Sequence, residues 1–257
     1  KTAQYDTMIA HYLTGGKIVA LAAEKLYDLR YGENPHQKAS FYVDQPHPGA
    51  SIPNATIHQG KELSYNNILD ADAGLALVRE FEEPCVVFIK HGNPCGVAIA
   101  KNINDAFINA YQCDPKSAFG GIIAMNRICT KDLAETISQN FFELVIAQEF
   151  EAKALEAFKS KPDLRVIEVG KITPDPAYKT YRKVSGGLLI QDLDSKKVSK
   201  SDLRVVTQKK PSDDELKDFL FAWTVAKHVK SNAIVLVKGG RTVGVGAGQM
   251  SRVDSVE

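Results

Sequence analysis

CVVFIKHGNPCGV, residues 85–97, is the stretch from which the fold class is read. Cys85-Val86-Val87-Phe88-Ile89 is β-branched and aromatic-rich, follows Pro84 and is too short for a helix, so it reads as a strand buried on both faces of an α/β sheet. The run stops at Lys90-His91 and turns through Gly92-Asn93-Pro94. In such sheets ligands gather outside the carboxyl ends of the strands, where the departing backbone leaves a crevice. Lys90 and His91 at that place set a cation beside a side chain of the type used for proton transfer. The plainer reading is a strand-end Lys in water and a His hydrogen-bonded to its own loop.

Around this strand the elements alternate. Residues 67–81 carry Ile68, Leu75, Val78 and Phe81 at helical spacing. A helix is expected over 103–112, a buried strand over 121–125, and a helix over 131–141 with Leu133, Ile137 and Phe141 on one face. An extended segment at 144–147, a helix at 150–159 and a strand at 165–169 follow. Strands alternating with helices predict a parallel or mixed sheet covered on both faces. Residues 170–185, with two prolines and several charges, suit a surface excursion. Ser212 with Glu215 three residues on forms a capping box, and Leu216, Phe219, Leu220, Trp223 and Val229 form the expected buried stripe of the helix it opens. AIVLVKGGRTVGVG, residues 233–246, reads as two strands around Gly239-Gly240.

The 257 residues are 44% hydrophobic and 25% charged, a globular balance with material for a core. A net charge of +1 points to no nucleic-acid surface; any phosphate is held locally. Cys85, Cys95, Cys113 and Cys129 show no CxxC spacing and no secretory segment precedes them, so reduced thiols in a cytoplasmic protein are expected. No apolar run approaches the roughly 20 residues that span a bilayer. The chain opens on Lys1 and stops at Glu257 without a turn or tail signal, which reads as a piece of something longer.

Three further segments carry candidate chemistry. LRYGENPHQ, residues 29–37, offers Arg30 as a planar fork for a carboxylate or phosphate; the alternative is a turn with a solvated Arg. In DPKSAFGG, residues 114–121, paired glycines permit close approach of a ligand to the backbone, and Phe119 suits either stacking on a flat heterocycle or plugging the core. Lys230-Ser231-Asn232 precedes GVGAGQMSR, residues 244–252, where Gln249 and Arg252 beside glycines suit a small anion; Asn232 serves equally as a helix stop. The glycine run lacks the spacing of a dinucleotide fingerprint, and no phosphate loop of the GxxxxGK[ST] form exists. Pro94-Cys95 is half of a zinc-deaminase PCxxC, but Ala98 takes the second Cys position and none of the six histidines is followed by x-Glu. A Ser or Cys nucleophile paired with His91 lacks any elbow motif.

Taken together, LRYGENPHQ, LSYNNILD, KHGNPCGVA, DPKSAFGGIIA, GGLLIQD, SNAIV and GVGAGQMSR resemble, in order, the signature blocks of the AICAR transformylase family, the part of a bifunctional purine-biosynthesis protein joined to an IMP cyclohydrolase. The resemblance implies an α/β fold of two cytidine-deaminase-like α/β/α units without the zinc, the second incomplete here, with a mixed sheet and helices on both faces. It divides the chain into the end of a cyclohydrolase part and linker (1–23, with QYDTMIAHYL at 4–13), a first transformylase subdomain (24–195) and the start of a second (196–257). It implies formyl transfer from 10-formyltetrahydrofolate, a cosubstrate, to the 5-amino group of AICAR, with no transition metal. Lys90 and His91 would be the catalytic pair, and Asn232 would position the amine and carboxamide. Arg30 and Tyr31 would hold the nucleotide, Ser117, Phe119 and Gly120 would border the substrates, and Gln249 and Arg252 would lie nearby. A looser match puts Glu143 near the folate. The partners implied are AICAR, the folate and a second copy sharing the site in a homodimer, with no nucleic acid and no membrane.

Overall fold

The structure, a computed structural model, describes residues 2–44, 49–174 and 178–257. By packing, the chain divides into one unit of Lys1–Pro48 with Glu62–Asn66 and a larger one of Gly49–Lys61 with Asn67–Glu257. The segment boundaries expected at 23/24 and 195/196 rest on the family resemblance and are a separate matter.

In the smaller unit, α1 (Thr2–Leu13) covers the 4–13 segment, and β1 (Glu24–Leu29) pairs antiparallel with β2 (Ala39–Val43). Tyr27 meets Phe41 edge-on across this ribbon at 5.7 Å. The connecting loop is closed by its own polar groups: Gly32 N–H donates to the Gln37 carbonyl at 2.7 Å, and Asn34 N–H to the Gln37 side-chain oxygen at 2.8 Å.

The larger unit is built on a six-stranded sheet. Its strands are β3 (Thr56–Gln59), β4 (Cys85–Lys90), β5 (Asn93–Ile99), β6 (Ile122–Met125), β7 (Leu144–Ala147) and β8 (Arg165–Glu168), in the spatial order β3-β8-β7-β6-β4-β5. β6, β7 and β8 run parallel, and the remaining pairings are antiparallel. The sheet is therefore mixed, as expected. Cys85 through Ile89 are at most 1% exposed because both faces are covered. On the Phe88 face lie α3 (Ile103–Tyr111), α5 (Lys131–Ser138) and α6 (Ala152–Phe158), contributing Phe107, Leu133, Ile137 and Phe158 to one core; the short α4 (Pro115–Ala118) adds Ala118. On the opposite face α2 (Tyr65–Val78) buries Ala71, Leu75 and Val78. α2 comes down close at Gly74, where a Cβ would lie 3.1 Å from the Ala124 Cβ and 3.3 Å from the Ile89 Cγ1.

Beyond the sheet, β9 (Lys179–Val184) and β10 (Gly187–Asp192) form a hairpin. α7 (Asp213–Lys227) starts at the predicted capping box, and β11 (Ile234–Val237) with β12 (Thr242–Gly246) forms the second predicted hairpin. That hairpin docks on β5: Ile99 N–H donates to the Gly240 carbonyl at 2.9 Å, and the Thr242 hydroxyl accepts from Val97 N–H at 2.9 Å. Both turn amides, of Gly239 and Gly240, are held at 2.9 Å by the Asp218 carboxylate of α7.

Three expectations need correction. β4 is antiparallel to both neighbours, and the chain after His91 re-enters the sheet as β5, a strand disguised by its Gly, Pro and Cys content. α5 ends at Ser138, so Phe141 lies outside the helix and is 48% exposed, while Phe142 enters the core. Of the stripe expected on α7, Val229 is buried just past its end, but the buried residues within the helix are Phe221 and Val225, because its contact is with Phe81 and β11; Phe219 and Trp223 are 53% and 59% exposed. The excursion expected at 170–185 does lie at the surface among its described residues, with 179–184 as the exposed strand β9, and 175–177 lie outside the described residues.

Candidate functional site

The site begins at the tight turn joining β4 to β5. Lys90 faces Asn93 as the last pair of the ladder, leaving a two-residue loop of His91 (φ 52°) and Gly92 (φ 71°). Positive φ at both central residues is what a two-residue hairpin of type I′ requires, and Asn-Gly is the favoured pair there. His91 instead occupies the first position, at roughly 1–2 kcal/mol of left-handed backbone strain for a residue with a Cβ. Such strain persists where surrounding groups over-determine it. Here Asp70 of α2 accepts the Gly92 N–H at 2.6 Å, Lys230 Nζ reaches the His91 carbonyl at 3.4 Å, and the Asn93 side-chain oxygen accepts the Lys230 N–H at 3.0 Å. Burial pushes the Asp70 carboxyl up, while the Gly92 N–H and the neighbouring His91 and Lys230 pull it back.

Lys90 points the other way. Its Nζ donates to the Phe119 carbonyl at 2.6 Å. Gly120 (φ 66°) follows, and a Cβ there would sit 3.3 Å from Lys90 Nζ and 3.3 Å from the Phe141 ring, so this position suits glycine on two counts. Phe119 is 59% exposed and tilted against Phe141 at 5.3 Å; the core-plug reading is overturned. Asp114 caps α4, its carboxylate accepting the Ser117 N–H at 2.9 Å and the Ser117 hydroxyl at 2.5 Å.

These elements line a cleft of about 560 Å³ that brings together Lys90, Asn93, Asp114, Ser117 and Gln249 with residues 244–247. Asn232 adjoins it through the chain: its side-chain amide donates to the carbonyls of Gln249 and Met250 at 3.1 and 3.0 Å, pinning the loop that carries Gln249. Arg252 lies exposed in the turn beyond that loop, and His91 is exposed on its hairpin. Arg30 and Tyr31 belong to the smaller unit, where the guanidinium lies over the Tyr31 ring, 5.2 Å from its centroid. Glu143 forms an ion pair of 2.7 Å with the buried Arg165.

Cys95 and Cys113 also line the cleft, but burial pushes the Cys95 thiol up to about 12 and raises Cys113 as well. Neither supplies a thiolate near neutral pH, so the Cys–His nucleophile reading lacks support. Among the described residues no group of three or more His, Cys, Asp or Glu is placed to hold a metal ion. Asp70, Asn93, Asp114 and Lys230 are members of the site to which sequence reasoning gave no role of their own. Each sits inside a quoted block, and the Asp114-Pro115 cap was the one with a local signal.

The family model for the AICARFT/IMPCHase bienzyme matches residues 1–257. The chain belongs to this family. Within it, the chain is 47% identical over 262 aligned residues to the bifunctional purine biosynthesis protein PurH of Oceanobacillus iheyensis and 48% identical to that of Bacillus cereus. Each match covers 100% of this chain and 51% of the relative, so the chain spans about half the length of these bienzyme proteins.

Proposed function

We propose that this chain carries formyl transfer from 10-formyltetrahydrofolate to the 5-amino group of AICAR, a step of purine biosynthesis. The observation that carries the reading is the hairpin end at Lys90-His91, where the lysine enters the cleft it shares with Ser117 and Gln249 and the histidine is held in strained backbone beside it. Membership of the bienzyme family supports the same reading.

The AICAR amine is conjugated to an imidazole ring and is a poor nucleophile, so it must lose a proton as it attacks. The new bond joins this nitrogen to the formyl carbon and the bond to the folate nitrogen breaks. His91 takes the proton, relayed through the carboxamide. Lys90 stabilises the oxyanion that forms or delivers a proton to the departing folate nitrogen. Asn232 fixes the loop carrying Gln249 and orients the amine and carboxamide, with Ser117, Phe119 and Gly120 bordering the substrates and Arg252 near them. Arg30 and Tyr31 hold the nucleotide, in a site shared by two copies of the protein. Residues 1–23, 24–195 and 196–257 are the corresponding segments of the bienzyme.

The test is formyl transfer by the natural protein carrying these residues. Lys90→Ala or His91→Ala should lower kcat by about two to four orders of magnitude, the usual scale for acid–base groups, with AICAR binding much less affected. A His91→Ala protein of normal turnover overturns the assignment. Binding of both substrates without turnover by the unaltered protein would favour a non-catalytic binding module.

A further inference from the structure

The turn that presents His91 is held from beneath by α2, and this contact has a geometry suited to aiming a side chain. We propose that Asp70 is the positioning residue for His91, its carboxylate clamping the His91-Gly92 backbone in the left-handed region and so setting the direction in which the imidazole leaves the hairpin. The proposal rests on the formyl-transfer reading.

Three observations carry it. The Asp70 Oδ1 accepts the Gly92 N–H at 2.6 Å, and the His91 N–H acts on the same carboxylate. A hydrogen bond to a charged acceptor is stronger than a neutral one, which suits a turn whose first residue has φ 52° and would otherwise relax. Asp70 is also rigidly mounted. Gly74 lies four residues on, hence on the same helical face, and there α2 packs so close to the sheet that a Cβ would come within 3.1 Å of the Ala124 Cβ and 3.3 Å of the Ile89 Cγ1. Since Ile89 immediately precedes Lys90 and His91, helix, strand and turn are locked together over one helical turn. The turn is restrained from its far side as well, by Lys230 Nζ on the His91 carbonyl and by Asn93 on the Lys230 N–H. Asp70 sits on a helix and its partners on a turn, so rigidity runs from the former to the latter. Asp70 itself is half-buried under the turn and acts through His91.

A reacting group displaced by an ångström loses on the order of 100-fold in rate. Asp70→Ala should therefore lower kcat about 10- to 100-fold, with the KM for AICAR changed far less. Asp70→Asn keeps an acceptor oxygen in place and should recover most of the loss. A merely structural role would move thermal stability without this split, and the deciding measurement is a double-mutant cycle. In a His91→Ala background the Asp70 change should cost nothing further, because the group it aims is gone. Should Asp70→Ala fail to fold, Asp70→Glu serves, since the extra methylene displaces the turn while keeping charge and hydrogen bond. An Asp70 variant that folds with normal kcat, or that loses the same factor with and without His91, overturns the positioning role. If the unaltered protein transfers no formyl group, the functional reading itself falls and the role falls with it.

Discussion

At the scale of single residues, the site depends on backbone conformations that only some side chains tolerate. Gly120 is the clearest case after His91. Its φ of 66° excludes most residues, and the space a Cβ would take is bounded by the Lys90 ammonium and the Phe141 ring, each 3.3 Å away. Gly120→Ala should cost roughly 1–2 kcal/mol of stability from the left-handed backbone alone, read by urea unfolding. It should also shift Lys90 from the Phe119 carbonyl and lower kcat, whereas Gly170→Ala, at a comparable φ of 74° but with nothing within 4 Å, should lose stability without losing kcat. Equal kcat for the two variants would show that the packing against Lys90 is irrelevant to turnover.

At the scale of elements, the sheet and most of its helices were legible because burial on both faces writes itself as short apolar runs. β4, β6, β7 and β8 are such runs. β5 was not, since Pro94 and Gly96 argue against a strand when its partner strand is out of view, and the exposed β1 shows no alternation to read. Of the site, Lys90, Ser117 and Gln249 were legible and do line one cleft. Asp70 was not, because its role arises from α2 lying under a turn some twenty residues away, a tertiary contact with no local signature. The same holds for the clamp between the end of α2 and the end of α7. Burial by itself would raise the Glu80 carboxyl, but hydrogen bonds from His228 and Lys227 hold it at about 2. A carboxyl held below its unfolded value of about 4.3 stabilises the fold above that pH, and the contribution is lost as pH falls toward 2. Unfolding free energies measured between pH 2 and 5 should thus fall more steeply for the unaltered protein than for Glu80→Gln. Parallel profiles would mean that the clamp does not couple proton binding to folding.

At the scale of the whole molecule, several large apolar side chains of the described residues stand in water. The β9–β10 hairpin is a two-stranded sheet, marginal in water without a packing partner, yet it exposes Tyr181, Val184, Leu189 and Ile190. Trp223 at 59% and Phe219 at 53% add a second apolar area on α7. Large exposed apolar patches mark surfaces where another protein binds, and the proposed two-copy site supplies the occupant. The PurH relatives are about twice as long as this chain, and catalysis by positioning tolerates missing walls poorly. We therefore expect the 257-residue chain expressed alone to transfer formyl groups at least 100-fold more slowly than the longer natural protein. Charged substitutions at Leu189 and Ile190 in the longer protein should shift its mass by light scattering from two copies toward one, and turnover should fall with the dimer fraction, because each site would lose the residues contributed by the other copy. Full activity from a monomer, in either the 257-residue chain or the substituted protein, would show that each copy builds its site without help and that the exposed hairpin serves some other contact.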